Sequence, residues 1–149
     1  MFEKLLSKFR KQDTATETAS EPDQLELAVA AILVEAARAD EVYADEEKAI
    51  IDHALGQQFK LDPGAAAALR IKGEDAQSAA TDLHRFTKVV KEMPGEEKIA
   101  LIETLWRIIL SDGARDQYEN ALIRRICGLI YVDDREAGQA RQRVLAEAK

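Results

Sequence analysis

Residues 39–51 read ADEVYADEEKAII, and residues 111–123 read SDGARDQYENALI. The two stretches align at an offset of 72 residues, which places Asp40 on Asp112. In each, a small residue and an aspartate lead into a short polar turn, and a helical pattern of apolar residues follows. Repetition of a whole segment at a fixed spacing indicates that the chain contains two similar structural units.

The similarity extends in both directions from these turns. Upstream, an apolar segment precedes each turn, and Val29 and Leu33 fall on Leu101 and Leu105. Downstream, each turn leads into a second segment with helical periodicity. Each half is therefore predicted to be a helical hairpin, and we expect the two hairpins to pack about a pseudo-twofold axis.

The rest of the chain also favours helix. It has 149 residues with only 7 Gly and 3 Pro, and Ala, Leu, Glu, Lys and Arg dominate. Asp62-Pro63 is typical of a helix start, and Gly73 is predicted to end that short helix. We predict an all-α fold, a compact bundle of six to seven helices built from two similar helical-hairpin halves. The other predicted helices cover about 25–39, 45–57, 75–92, 96–110, 117–130 and 134–147.

Composition excludes several classes of protein. Asp and Glu total 28 against 21 Lys and Arg, giving a net charge of −7, which argues against binding to nucleic acid. A single cysteine excludes an internal disulfide and a zinc site built on cysteines. No apolar run reaches the ~18 residues that span a bilayer, and no secretory signal pattern is present. We expect a cytoplasmic protein.

Residues 1–11, MFEKLLSKFRK, are a separate predicted element. Four apolar residues fall on one stripe of a helix, and four basic residues against one acidic residue give a charge of +3. Such a helix can dock on its own domain, enter a partner's groove, or make weak contact with the inner membrane surface. Residues 12–24 are acidic and lack large apolar side chains, so they are predicted to be a flexible linker before a helical domain over 25–149.

The repeat places two carboxylates at each turn, Asp40 with Glu47 and Asp112 with Glu119. Each aspartate lies at the C-terminal end of a predicted helix, where the helix dipole disfavours negative charge. One structural explanation is an Asx-turn, in which the side chain accepts hydrogen bonds from the backbone of the following loop.

The glutamates also have a structural interpretation. Asp116 and Glu119 have the spacing of a capping box, in which they are the N-cap and the third helical residue. In the first half the residue aligned with Asp116 is Ala44, whose side chain cannot cap, and Asp45 is the next candidate. The box therefore accounts for Glu119 better than for Glu47.

The functional interpretation is that each Asp–Glu pair lies close across its turn and binds a divalent cation. Ca²⁺, Mg²⁺ and Mn²⁺ choose oxygen ligands of this kind. Two carboxylates supply only part of a coordination shell, so water or a partner would complete it. The turns are not EF-hands, because the EF-hand series of ligands at alternating positions is absent. The predicted metal ligands are Asp40, Glu47, Asp112 and Glu119.

The runs ARADEVYADEEKAII and LSDGARDQYENALIRRI resemble the doubled signature of TerB-like tellurite-resistance domains, which are also attached to some DnaJ-type co-chaperones. The resemblance covers about residues 25–149. It implies an all-helical fold of two similar halves, a shared surface patch of the four acidic residues, and a link to tellurite resistance and stress response. In the family this patch has been proposed to bind a metal ion or a protein partner. Glu41 stands where the family usually has the glycine kept at Gly113, so we expect a differently shaped first turn.

The other reactive side chains have structural interpretations. His53 and His84 lack the spacing of zinc ligands, and we interpret His53 as a surface residue and His84 as a half-buried one. Cys127 and Trp106 lie in apolar segments and are predicted to be core residues. No nucleophile elbow, Ser-His-Asp order, P-loop or dinucleotide fingerprint is present in the sequence.

We therefore predict a non-enzymatic module that binds a divalent metal ion or a protein partner through the acidic patch. One alternative is a membrane-peripheral adaptor that uses residues 1–11. Another is a metal-assisted hydrolase at the carboxylate cluster, which would need a concave pocket and a strongly perturbed pKa. An oxyanion such as tellurite would not choose an acidic patch, so any role in resistance is expected to be indirect.

Overall fold

The computed structural model describes residues 23–39, 42–111 and 117–147, except for the side chains of 117–120. Within these ranges the chain forms seven α-helices and no strands, which confirms the all-α prediction. The predicted N-terminal helix and most of the predicted linker lie outside the described residues. The helices are α1 Gln24–Ala37, α2 Asp45–Phe59, α3 Pro63–Ala79, α4 His84–Val90, α5 Gly95–Leu110, α6 Gln117–Ile130 and α7 Asp134–Glu147.

Helix α1 is the centre of the bundle. Nine of its 14 residues are buried, on every side of the helix, because α2, α3, α4 and α5 all pack against it. It begins at Gln24, where the side chain of Asp23 caps it by accepting a hydrogen bond from the backbone N–H of Glu26 at 2.8 Å. This helix thus begins one residue before the start predicted from the sequence, about residue 25.

Helix α3 differs from its predicted form. Gly73 does not end this helix, which continues to Ala79. The glycine is instead a buried residue that packs against a neighbouring helix. A Cβ atom built on Gly73 would lie 2.7 Å from the Cβ of Ala30 in α1, so the absence of a side chain lets the two helices cross closely. The chain then leaves helical geometry at Ala80, and α4 begins only at His84. The single helix predicted over 75–92 is therefore wrong.

The repeat in the structure is larger than the predicted hairpin. Helices α1, α2 and α3 correspond in order to α5, α6 and α7, and α4 is the connection between the two sets. In each half the first and third helices pack together. The pseudo-twofold relation between the halves stays a prediction.

Matching corners join the second and third helices of each half. The residue after the second helix has a positive φ, 57° at Lys60 and 66° at Tyr131. The next N–H bonds the carbonyl five residues earlier, at 3.0 Å in the first half and 2.9 Å in the second, as in a Schellman motif. An aspartate, Asp62 or Asp133, then caps the third helix at 2.8 Å. These corners confirm that the halves are related structures.

Tyr131 is a strained residue at the second of these corners. Its side chain is 73% exposed, and a left-handed conformation costs a non-glycine residue roughly 1–2 kcal/mol. Replacing Tyr131 with glycine is expected to raise the free energy of unfolding by about 0.5–1 kcal/mol, since the greater freedom of glycine in the unfolded chain offsets part of the gain. Urea unfolding followed by circular dichroism measures this change.

Tyr131→Ala is the matched control for this change. It removes the same exposed ring but keeps a Cβ atom, so it should leave most of the strain in place. Equal stability of the alanine and glycine variants would show that the backbone at this corner is not strained.

Candidate functional site

The four predicted metal ligands are only partly described by the structure. Asp40 and Asp112 lie outside the described residues, and so does the side chain of Glu119. Glu47 is described in full. Their predicted clustering therefore stays a prediction, although the helices before the two turns end within one residue of corresponding positions, α1 at Ala37 and α5 at Leu110.

Glu47 has a structural role at the start of α2. Its side chain is only 4% exposed, and its Oε1 accepts a hydrogen bond from the backbone N–H of Ala44 at 2.9 Å. Ala44 is the N-cap, not Asp45. The sequence argument that a capping box explains Glu47 poorly was wrong, because the glutamate of a box bonds the backbone of the N-cap and needs no side chain there.

Tyr43 anchors the part of the first turn that precedes α2. Its hydroxyl donates a hydrogen bond to Glu74 Oε2 in α3 at 2.7 Å. The guanidinium carbon of Arg38 and the Nζ of Lys48 lie 5.1 Å and 5.0 Å from the centre of its ring, in the range of cation–π contacts. Residues from α2, from α3 and from the C-cap of α1 thus hold one aromatic side chain in place beside the turn.

Arg70 in α3 links the acceptor of the Tyr43 hydroxyl, Glu74, to α2. Its Nε donates to Asp52 Oδ1 at 2.6 Å, and its Nη1 donates to the same Glu74 Oε2 at 2.8 Å. The Arg70 side chain is only 14% exposed. We call this cluster the Tyr43–Arg70 network; it comprises Arg38, Tyr43, Asp52, Arg70 and Glu74.

Arg38 ties the end of α1 to the end of α3. Its Nη1 donates to Gln77 Oε1 at 2.6 Å and to Ser78 Oγ at 2.9 Å. Gln77 in turn donates from its Nε2 to Glu35 Oε1 at 2.7 Å. Because Arg38 is two residues before Asp40, the chain enters the first acidic turn from a fixed position.

The network also sets the charge states of its members. Burial, and then the hydrogen bond to Glu74, raise the pKa of the Tyr43 hydroxyl well above its ordinary value. Burial alone would raise the pKa of Glu74, but hydrogen bonds from Tyr43 and Arg70 outweigh it and hold that pKa below the usual range. The hydrogen bond to Asp52 is the main reason that the pKa of Arg70 is raised. At neutral pH the network therefore contains a phenol donor, a carboxylate acceptor and a guanidinium.

This arrangement makes part of the stability depend on pH. A carboxylate whose pKa is lowered on folding stabilises the protein above its unfolded pKa, and this stabilisation is lost as pH falls through the folded value. We expect wild type to be more stable than Glu74→Gln at pH 7, and the difference to shrink below about pH 4. Urea unfolding of both proteins at pH 7, 5 and 3.5 measures it. A difference that stays constant or grows as pH falls would contradict the assignment of Glu74.

The second half has no copy of this network among its described residues. Asp52 falls on Arg124, which is exposed. Helices α5 and α7 are joined instead by Arg107, which contacts Glu147 through two nitrogens at 2.9 Å and 2.7 Å, and by an Arg143–Glu103 pair at 2.6 Å. The helices of the two halves are thus joined by different ionic groups.

The remaining reactive side chains do not form a catalytic arrangement in the described part of the chain. His53 is exposed as predicted, but His84 is also exposed, so its predicted half-buried position is wrong; it lies at the first residue of α4. Trp106 and Cys127 are buried in the core as predicted. Burial raises the pKa of the Cys127 thiol to about 11, which leaves it protonated and unreactive at neutral pH.

No group of three or more His, Cys, Asp or Glu side chains is arranged to hold a metal ion among the residues the structure describes. Glu47 is the one predicted ligand whose side chain is included there. A metal site at the turns would therefore depend on Asp40, Asp112 and Glu119.

The fold and the repeated turns define a class of protein: an all-α module made of two related three-helix units. A family model described as "Tellurite resistance protein TerB" matches residues 26–142, which cover most of this module. The chain belongs to the TerB family, as the resemblance of its two turns indicated.

No curated protein and no solved structure is significantly similar to the chain. No helix in the described ranges is long and apolar enough to cross a membrane.

Proposed function

We propose that this chain is a non-enzymatic TerB module that binds a divalent metal ion through its two acidic turns, Asp40 to Glu47 and Asp112 to Glu119. The observation that carries the proposal is the repetition of the same Asp–Glu pair at equivalent positions of two structurally related halves. A capping role explains Glu47 and is predicted for Glu119, but both aspartates follow closely after the C-terminal ends of α1 and α5, where the helix dipole disfavours negative charge. A bound cation would remove that penalty.

The surroundings of the first turn support this role. The Tyr43–Arg70 network fixes the residues on both sides of Asp40 and Glu41, since Arg38 precedes them and Tyr43 follows. A loop whose ends are already ordered loses less conformational entropy when it binds an ion. The buried carboxylate of Glu47 lies at the start of α2, where its hydrogen bond to Ala44 orients it.

The chemistry of the turns favours hard cations. Their predicted ligands are carboxylates, and Ca²⁺, Mg²⁺ and Mn²⁺ prefer oxygen, whereas Zn²⁺ prefers sites with nitrogen or sulfur. The net charge of −7 also raises the local concentration of cations at the protein surface. For the same reason an oxyanion such as tellurite is not a ligand of these turns, and the link of the family to tellurite resistance is indirect in this proposal. We place the module in the cytoplasm, where a free thiol such as that of Cys127 stays reduced.

Isothermal titration calorimetry with Ca²⁺, Mg²⁺, Mn²⁺ and Zn²⁺ tests the proposal. We expect saturable binding of at least one hard cation to the wild type and a loss of at least tenfold in affinity, about 1.4 kcal/mol, in Asp40→Asn with Asp112→Asn. Asp62→Asn is the matched control, because it removes one carboxylate of α3 and keeps a residue that caps a helix well. Equal affinity in all three proteins would contradict the proposal.

A protein partner is the second candidate ligand for the same patch. The net negative charge would favour a basic partner surface and raise the association rate. If no cation binds, charge reversal at Asp40 and Asp112 should still weaken capture of such a partner, whereas Asp62→Asn should not.

A further inference from the structure

A groove of about 850 Å³ lies between α2 and α5, on the outer face of the bundle. Residues of both helices line it, and three of them have small apolar side chains: Ala49 and Ala54 from α2 and Ala100 from α5. Ile50 adds apolar surface, and Glu96 and Glu97 form an acidic rim at the start of α5.

We propose that residues 1–11 of the same chain dock in this groove as a short amphipathic helix. The segment has four apolar residues on one stripe, Phe2, Leu5, Leu6 and Phe9, and these are the large side chains that a groove lined by three alanines can accommodate. Packing them there would remove apolar surface of both partners from water.

Charge supports the same pairing. The segment has a charge of +3 from Lys4, Lys8, Arg10 and Lys11 against one glutamate. The rim carries Glu96 and Glu97, and Lys8 and Arg10, on the flanks of the apolar stripe, would meet this surface of opposite sign, whereas Lys4 and Lys11 lie on the far side of the helix with Ser7. The connecting residues 12–22 are acidic and would be repelled by the rim, which keeps them out of the groove.

The length of the segment also matches the length of the groove. A helix of ten residues is about 15 Å long. The groove runs along α2 from Ala49 to Gln58 and along α5 from Glu96 to Arg107, distances of about 14 Å and 17 Å at the helical rise of 1.5 Å per residue. Helix and groove therefore match within one turn.

The connecting segment can reach the groove. Residues 12–22 span up to about 40 Å when extended, which exceeds the distance across a domain of this size, roughly 35 Å. The segment joins the domain at Asp23, at the start of α1. Helices α1 and α2 are in contact and are joined by only seven residues, and in a helical hairpin of this kind the start of the first helix is expected near the end of the second, close to Gln58. A tether this short also gives the segment an effective concentration in the millimolar range.

Paramagnetic broadening in NMR of the full chain tests this proposal. A nitroxide attached through Ser7→Cys would lie opposite the apolar stripe, and the native Cys127 is buried, so the label attaches at residue 7. We expect loss of the amide signals around Ala54 and Ala100, while those around Ile71 on the outer face of α3 persist.

Variants on each side of the contact complete the test. Leu5→Ser with Phe9→Ser removes the apolar stripe, and Ala100→Lys places in the groove, at an exposed position, a charge of the same sign as the segment; both should restore the groove signals. Ala68→Lys makes the same change at an exposed position of α3 outside the groove and should leave the broadening intact. Weak, uniform broadening that is the same in every variant would overturn the proposal.

Two further samples test whether residues 1–11 bind a second copy of the chain or a membrane instead. Mixing spin-labelled chains with isotope-labelled chains that carry no spin label shows broadening only if the segment enters the groove of a second copy, and such broadening would overturn docking within one chain. Vesicles of phosphatidylserine and phosphatidylcholine test the membrane. Binding to vesicles through residues 1–11, with no groove broadening in their absence, would also overturn the proposal, whereas unchanged groove broadening in their presence would support it.

Discussion

Replacing Gly73 with valine is expected to lower the free energy of unfolding by about 3 kcal/mol. A Cβ atom at this position would lie 2.7 Å from the Cβ of Ala30 and 2.9 Å from its carbonyl carbon, and the latter is backbone that cannot rotate away. The helices α1 and α3 would have to separate, and α1 is the buried centre of the bundle. The better helix propensity of valine offsets only a few tenths of a kcal/mol. Urea unfolding followed by circular dichroism measures the loss.

Two alanine substitutions test whether the destabilisation comes from the close contact at Gly73. Gly73→Ala should still be destabilising, because the clash begins at Cβ. Gly138→Ala, in the interior of α7, should be stabilising by about 1 kcal/mol, since a Cβ atom at this position would have no neighbour within 4 Å and alanine is the better helix former. Stabilisation by both substitutions would contradict the close crossing of α1 and α3.

Replacing Arg70 with methionine is expected to lower the free energy of unfolding by about 2–3 kcal/mol. The change keeps most of the apolar length of the side chain but leaves the carboxylates of Asp52 and Glu74 without their shared cation. The side chains of Asp52 and Glu74 are partly buried, at 26% and 19% exposed, so water only partly replaces the lost ion pair. The substitution therefore removes a contact shared by α2, α3 and the first acidic turn, because Glu74 also accepts the hydrogen bond from the Tyr43 hydroxyl.

Arg107→Met is the matched control. Its nearer carboxylate partner, Glu147, is about half exposed, at 52%, and exposed ion pairs contribute roughly 0–1 kcal/mol. Its second partner, Glu103 at 3.8 Å, keeps a closer cation in Arg143 at 2.6 Å. Amide hydrogen exchange gives a second measurement: we expect faster exchange at Ala44 in Arg70→Met than in Arg107→Met. Equal losses of stability in the two variants would show that the Tyr43–Arg70 network is no stronger than a surface ion pair.

Much of the fold could be predicted from the sequence because most helices carry strong local signals. The bounds of α6 and α7 agree with those predicted, and α5 differs by one residue at its start. Gly73 was misinterpreted because a glycine that ends a helix and a glycine that lets two helices touch are identical in a sequence. The difference lies in Ala30, which is 43 residues away along the chain and adjacent in space.

The site was less predictable, because its supporting contacts join distant residues. Repetition at a fixed offset located the two acidic turns. The Tyr43–Arg70 network was missed, since Asp52 and Arg70 are separated by 18 residues and Tyr43 and Glu74 by 31. Its one local signal was the spacing of Arg70 and Glu74, four residues apart on one helix, which is common on helix surfaces.

The central claim is that the two acidic turns form a cation site, and titration with Mn²⁺ monitored by NMR tests it most directly. A bound Mn²⁺ ion broadens the signals of amides near it. We expect broadening that saturates, centred on residues 40–47 and 112–119, and lost in Asp40→Asn with Asp112→Asn. Broadening that follows exposed carboxylates in general, such as Asp82 and Glu92, and is unchanged in that double variant would contradict the claim.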